Sequence, residues 1–299
     1  MTDWFLSVNS HEEDRDVCAG GSDIVPARAV TASARLSLPV DRVDLWLASC
    51  ADLDDSQCQR CRALLTADER HRELRFHFIR DRRRYVVTRA LVRVVLSRYA
   101  PPSPSAWRFL ENRYGRPGIV NGGEIERALS FNLSHAADLI LLAVTCRRSV
   151  GVDIEAVRER LISMGVAERF FSSSEIDALQ AMPLEARTER FFALWTLKEA
   201  YVKARAMGLA IPLDSFAFDI SAGPCIGLSL STSLTDDAVK WQFFQLRPAT
   251  GYVAAVCVER RPGISVKVSL RRITPLGDDT LMSGILLRHS RGVERVLVT

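Results

Sequence analysis

Polar and apolar residues alternate through Val43-Asp44-Leu45-Trp46-Leu47, a period of two that predicts a first strand. Thr66-Ala67-Asp68-Glu69 has the spacing of a capping box, so a helix should follow it. A longer helix is predicted over about 80–99, with Val87, Leu91, Val94 and Val95 on one face and Arg89 and Arg93 on another. Pro101, Pro102 and Pro104 end it. Short strands are then predicted at Trp107–Leu110, Leu129–Leu133, Leu139–Thr145 and Val150–Glu155, with a turn at Tyr114-Gly115-Arg116-Pro117-Gly118.

The same order returns further on. Ser172-Ser173-Ser174-Glu175 is a second capping box before a short helix. Pro183 interrupts, and an amphipathic helix is predicted from about Glu189 to Met207, capped by Gly208. Residues 213–220 and 240–258 read as strands, and the alternation at Val266, Val268 and Leu270 adds a strand or two in the tail. Two α+β halves are therefore expected, 41–148 and 149–261, flanked by an N-terminal extension over 1–40 and a C-terminal extension over 262–299.

Of the 299 residues, 47% are hydrophobic and 25% charged, the proportions of a globular protein. No apolar run approaches the roughly 20 residues of a membrane helix. The start, MTDWFLSVNSHEED, lacks the basic and apolar regions of a secretory signal, so a cytoplasmic protein without a membrane partner is expected. The seven cysteines are irregularly spaced. Cys58 and Cys61 form one CxxC, with Cys50 and His71 in range, but free thiols are the simpler reading.

The net charge is +4 and unevenly placed, with ten arginines between residues 69 and 98. That band suits phosphates, nucleic acid or an acidic protein, or a solvated helix face. Phe76, Phe78 and Tyr85 lie among the arginines, but periodicity assigns several such positions to packing, so no nucleic-acid partner is expected. Of the 40 basic residues only four are lysines, and two of these, Lys198 and Lys203, share one helix. A local choice of lysine where arginine is the default suggests chemistry.

Four constellations carry candidate chemistry. In Gly151-Val152-Asp153-Ile154-Glu155 the two carboxylates point to one face of a strand, where they suit Mg²⁺ or a solvated edge. In Trp195-Thr196-Leu197-Lys198-Glu199-Ala200-Tyr201-Val202-Lys203, the residues Trp195, Glu199, Val202 and Lys203 fall in one helical stripe, which sets Glu199 among apolar neighbours. Glu199–Lys203 is also an ordinary i, i+4 pair. In Phe131-Asn132-Leu133-Ser134-His135, the serine and histidine can hold an anion or serve the structure. Arg116, beside Gly115, can grip a phosphate or merely complete a turn. The chain has no P-loop, G-x-G-x-x-G or H-E-x-x-H.

Taken together and in this order, YGRP, FNLSHA, GVDIE and WTLKEAYVKARAMGL closely resemble the Sfp-type 4′-phosphopantetheinyl transferases, over roughly residues 43–260. Glu155 and Glu199 are 44 residues apart, in keeping with that family's spacing. The resemblance implies two similar α/β halves related by a pseudo-twofold axis, with the site in the cleft between them, in a monomer. It implies phosphopantetheine transfer from coenzyme A to a serine of an apo acyl or peptidyl carrier protein, with Mg²⁺, or Mn²⁺ in its place. A non-catalytic carrier-binding relative is the alternative. Asp153, Glu155 and Glu199 would hold the metal; Glu199, Lys203 and Asp153 would act in catalysis. Coenzyme A would be bound by Ser134, His135, Arg116, Arg72, Arg84, Lys198 and Lys203. Arg116 stands where the family more often has lysine.

Overall fold

The computed structural model divides the chain into Met1–Ala34 and Arg35–Thr299. It describes residues 35–157, 164–221 and 223–290, all in the second unit. The N-terminal extension expected over 1–40 lies, up to residue 34, outside the described residues, as does the tail beyond residue 290. No helix among the described residues is long and apolar enough to cross a membrane.

The order strand, capped short helix, long helix and hairpin occurs twice. In the first half it runs β1 (Arg42–Ser49), α1 (Asp55–Ala63), α2 (Ala67–Glu73), α3 (Ile79–Leu96), the small hairpin β2 (Phe109–Glu111) and β3 (Pro117–Ile119), α4 (Glu124–Ala128), β4 (Leu129–Ala136) and β5 (Leu139–Cys146). In the second it runs β6 (Val150–Ala156), α5 (Met164–Phe170), α6 (Ser173–Gln180), α7 (Leu184–Arg205), β7 (Phe216–Asp219), β8 (Cys225–Leu230), β9 (Trp241–Arg247) and β10 (Tyr252–Glu259). Both predicted capping boxes form: Thr66 Oγ1 accepts from the Glu69 N–H at 3.2 Å, and Glu175 accepts from the Ser172 N–H at 2.9 Å.

Each first strand pairs antiparallel with the last strand of its own half, β1 with β5 and β6 with β10. The two sheets share one apolar core through Leu45, Leu141 and Ala143 from one and Val152, Phe244 and Val256 from the other. The outer face of the first sheet packs Trp46 and Leu142 under α3; that of the second packs Phe243 and Ala255 under α7. Strands covered on both faces read as continuous apolar runs, which explains LILLAV in β5 and VAAVCV in β10. The fold is α+β, two similar halves back to back.

The tail is woven into both sheets. Strand β11 (Lys267–Ile273) lies parallel to β1, β12 (Asp279–Met282) pairs with β11, and β13 (Ile285–Ser290) adds beside β9. Ser269 donates to the fully buried Asp44, which also accepts from Tyr99 at 2.7 Å. Helix α7 begins just after Pro183 and ends in a left-handed cap at Ala206 (φ 54), two residues before the predicted Gly208.

Candidate active site

Three elements meet where the halves join. Strands β4 and β6 are the adjoining edges of the two sheets and are not paired with each other. Side chains join them instead, and one of these bonds reaches the backbone: Asn132 Oδ1 accepts from the Val152 N–H at 2.8 Å. Helix α7 lies on β6 so closely that a Cβ on Gly151 would sit 2.1 Å from the Ala200 carbonyl oxygen and 2.3 Å from the Ala204 nitrogen. Only glycine permits that approach. It sets Glu199 and Lys203 of α7 against Asp153 and Glu155 of β6.

Lys203 Nζ donates to Asp153 Oδ1 at 2.6 Å and to Ser134 Oγ at 3.0 Å. Ser134 in turn donates to the same carboxylate oxygen at 2.7 Å. Glu155 is pushed up to about 8 by burial and by the charges of Asp153 and Glu199, against the pull of Lys203 and a hydrogen bond from Trp195. Burial, with Asp153 adding to it, lifts Glu199 to about 7, although Lys203 opposes the shift. Burial disfavours the Lys203 ammonium, but Asp153 and Glu199 outweigh it and hold the lysine above its ordinary value. His135 is pulled down to about 4 by burial and the nearby Arg84 cation, so its imidazole is neutral at pH 7.

The donor set fits a hard divalent cation. Asp153 Oδ2 is buried without a hydrogen-bond partner, beside two carboxylates whose raised pKa values record mutual repulsion and desolvation. Among the described residues no three acidic, histidine or cysteine side chains already close on one point as a metal cluster. A cation there must draw the carboxylates together.

Several expected ligands stand elsewhere. Lys198 is fully buried, with Nζ on the carbonyls of Leu213 and Phe216 and on Glu175, all at 2.7 Å. The structure thus does not bring Lys198 together with Asp153, Ser134 and Lys203; its three donors face Leu213, Phe216 and Glu175. Arg116 is also engaged elsewhere: its guanidinium donates to the carbonyls of Lys203, Ala204, Phe131 and Val150. Arg72 pairs with Glu111 at 3.0 Å and lines a separate groove of about 670 Å³ with Arg89, Arg93, Arg108 and Phe109. Arg84 does stay beside His135, held by Asp81 at 2.8 Å. Asn132 and Trp195 are the polar contributors to which sequence reasoning gave no task. The asparagine in FNLSH, flanked by apolar residues on an edge strand, was the available signal.

Two family models cover the chain. One, described as 4′-phosphopantetheinyl transferase, N-terminal, matches residues 53–147, and one for the 4′-phosphopantetheinyl transferase superfamily matches residues 149–257. The chain is 36% identical over 223 residues to the 4′-phosphopantetheinyl transferase HetI of Nostoc sp., covering 75% of this chain and 90% of that protein. It is 30% identical over 205 residues to the 4′-phosphopantetheinyl transferase Sfp of Bacillus subtilis, covering 69% of this chain and 87% of the relative. A two-half α+β fold with a carboxylate–lysine cluster at its joint is thus the setting of a group-transfer enzyme. The chain belongs to the 4′-phosphopantetheinyl transferase superfamily.

Proposed function

We propose that the protein transfers the 4′-phosphopantetheine group of coenzyme A to a serine hydroxyl of an apo acyl or peptidyl carrier protein, releasing adenosine 3′,5′-bisphosphate. The observation that carries this reading is the Lys203–Asp153–Ser134 contact at the joint of the halves, flanked by Glu155 and Glu199. One cation and three carboxylates in one cluster are the groups that a diphosphate and its counter-ion call for, and this supports the reading.

In this reading Asp153, Glu155 and Glu199 hold Mg²⁺. When bound, the cation supplies neutralisation of the diphosphate and polarises its oxygens. Lys203 stabilises the charge that develops on the leaving phosphate oxygen. Glu199 takes the proton of the attacking serine. Ser134 donates to a phosphate oxygen once the diphosphate displaces its bond to Asp153. The neutral His135, with Arg84 beside it, holds the bisphosphate end of the leaving group. We further propose that the protein acts as a monomer.

The test is intact-protein mass spectrometry of an apo carrier protein incubated with the enzyme and coenzyme A, with and without Mg²⁺. The expected result is a gain of one phosphopantetheine that needs both additions. No gain with peptidyl, polyketide or fatty-acid carriers would refute the reading.

A further inference from the structure

The turn between β2 and β3 reaches across the molecule to the far end of α7. Its shape is fixed locally. Asn112 Oδ1 accepts from the Tyr114 and Arg116 N–H groups at 2.9 and 3.0 Å, and Gly115 takes a left-handed conformation (φ 84) open to glycine. Arg116 is thereby aimed inward. One of its terminal nitrogens, Nη1, donates to the Lys203 and Ala204 carbonyls at 2.6 and 3.3 Å. The other, Nη2, donates to the Phe131 carbonyl of β4 at 3.2 Å and the Val150 carbonyl of β6 at 2.9 Å. Asn112 Nδ2 adds a bond to the Ala206 carbonyl at 3.0 Å.

The last carbonyls of a helix lack their usual i+4 N–H partners and carry the negative end of its dipole; the Lys203 carbonyl receives the Ala206 N–H from its own chain end, at 3.2 Å. Here a cation from the opposite half takes them. The same planar group touches the strand that carries Ser134, the strand that carries Asp153, and the backbone of Lys203 itself. Four backbone carbonyls occupy this guanidinium. A lysine has one nitrogen and could not span both carbonyl pairs in a single plane.

We propose that Arg116 is a positioning residue, which caps α7 from the other half of the molecule and so holds Lys203 in register with Asp153 and Ser134. It acts through the helix terminus and not on coenzyme A. The kinetic part of its test rests on the proposed transfer reaction; the chemical part does not.

The chemical part uses the four lysines of the full chain. The protein without ligand is treated with limiting acetic anhydride, and acetylation at each lysine is read by peptide mass spectrometry. Lys240 and Lys267 are exposed references, and the fully buried Lys198 reports general loosening. Arg116→Ala should raise acetylation of Lys203 about tenfold, the scale of losing charge-assisted hydrogen bonds, with Lys198 still protected. Arg116→Lys should fall between Ala and wild type, and it carries the test where Arg116→Ala does not fold. In the transfer assay kcat should drop at least tenfold while KM for coenzyme A moves less than about threefold. Lys203 protected in both variants would overturn the proposal. So would joint exposure of Lys198 and Lys203, or a rise in KM for coenzyme A alone. A wild type without transfer would sink the proposed function and leave the labelling result to decide this one.

Discussion

The two halves solve one structural problem identically and then diverge. In the first, Glu69 caps α2 and also receives Arg93 of α3 at 2.6 Å; Arg93 is 1% exposed. In the second, Glu175 caps α6 and receives Lys198 of α7 at 2.7 Å; Lys198 is 0% exposed. In both, the carboxylate that starts a short helix is the counter-ion of a buried cation on the long one. Lys198 is therefore the counterpart of Arg93, a structural cation. The difference lies one and five residues further on, about 100° and 140° round the helix. There α7 carries Glu199 and Lys203. The same steps along the sequence from Arg93 give Val94, buried in the core, and Arg98, just past the end of α3, which pairs with Asp279 at 3.1 Å. Burial of a charge does not mark chemistry; what the charge faces does.

The largest effect that would sharpen this contrast is on Lys203. Lys203→Met should lower the transfer rate by roughly 10²–10³-fold, the scale of removing one preorganised charge-stabilising donor, in a protein that still unfolds cooperatively. Lys198→Met should do the reverse. It strands Glu175 in the core and should cost about 3–5 kcal/mol in urea denaturation, with transfer per folded molecule close to wild type. If Lys198→Met abolished transfer without loss of stability, the pairing of Lys198 with Arg93 would fail.

A smaller effect is expected from pH. Glu155 and Glu199 bind protons more tightly folded than unfolded, so the stability they lend is complete below their ordinary value near 4.5. It is lost as pH rises through about 7 and about 8. Without divalent cations, Tm should fall between pH 5 and pH 8 beyond the change seen in Glu155→Gln/Glu199→Gln. Mg²⁺ should restore more of it at pH 8 than at pH 5.5, because it competes with those protons. Equal Mg²⁺ effects at both pH values would contradict the metal assignment.

Much of the site was legible because it is local. Period-two alternation put Asp153 and Glu155 on one face, and helical spacing put Trp195, Glu199 and Lys203 in one stripe; β6 and α7 bring the two sets together. Both capping boxes could be read from four residues each. What the sequence did not show is non-local. The direction of Arg116 depends on where the end of α7 lies, 87 residues away in sequence. Helical geometry alone separates Lys198 from Lys203, but only the position of Glu175 and of the Leu213 and Phe216 carbonyls shows what Lys198 faces. Alternation in the tail foretold a strand, but not its parallel pairing with β1, which joins residues more than two hundred positions apart.

The most direct test of the cluster is the transfer rate of Asp153→Asn at saturating coenzyme A and Mg²⁺, measured beside its Tm. Asparagine keeps the shape and can still accept from Lys203 and Ser134, but it removes the charge at the centre of the group. The predicted result is a rate at least about 100-fold lower with Tm within a few degrees of wild type. A near-normal rate in that folded variant would contradict the assignment of this site.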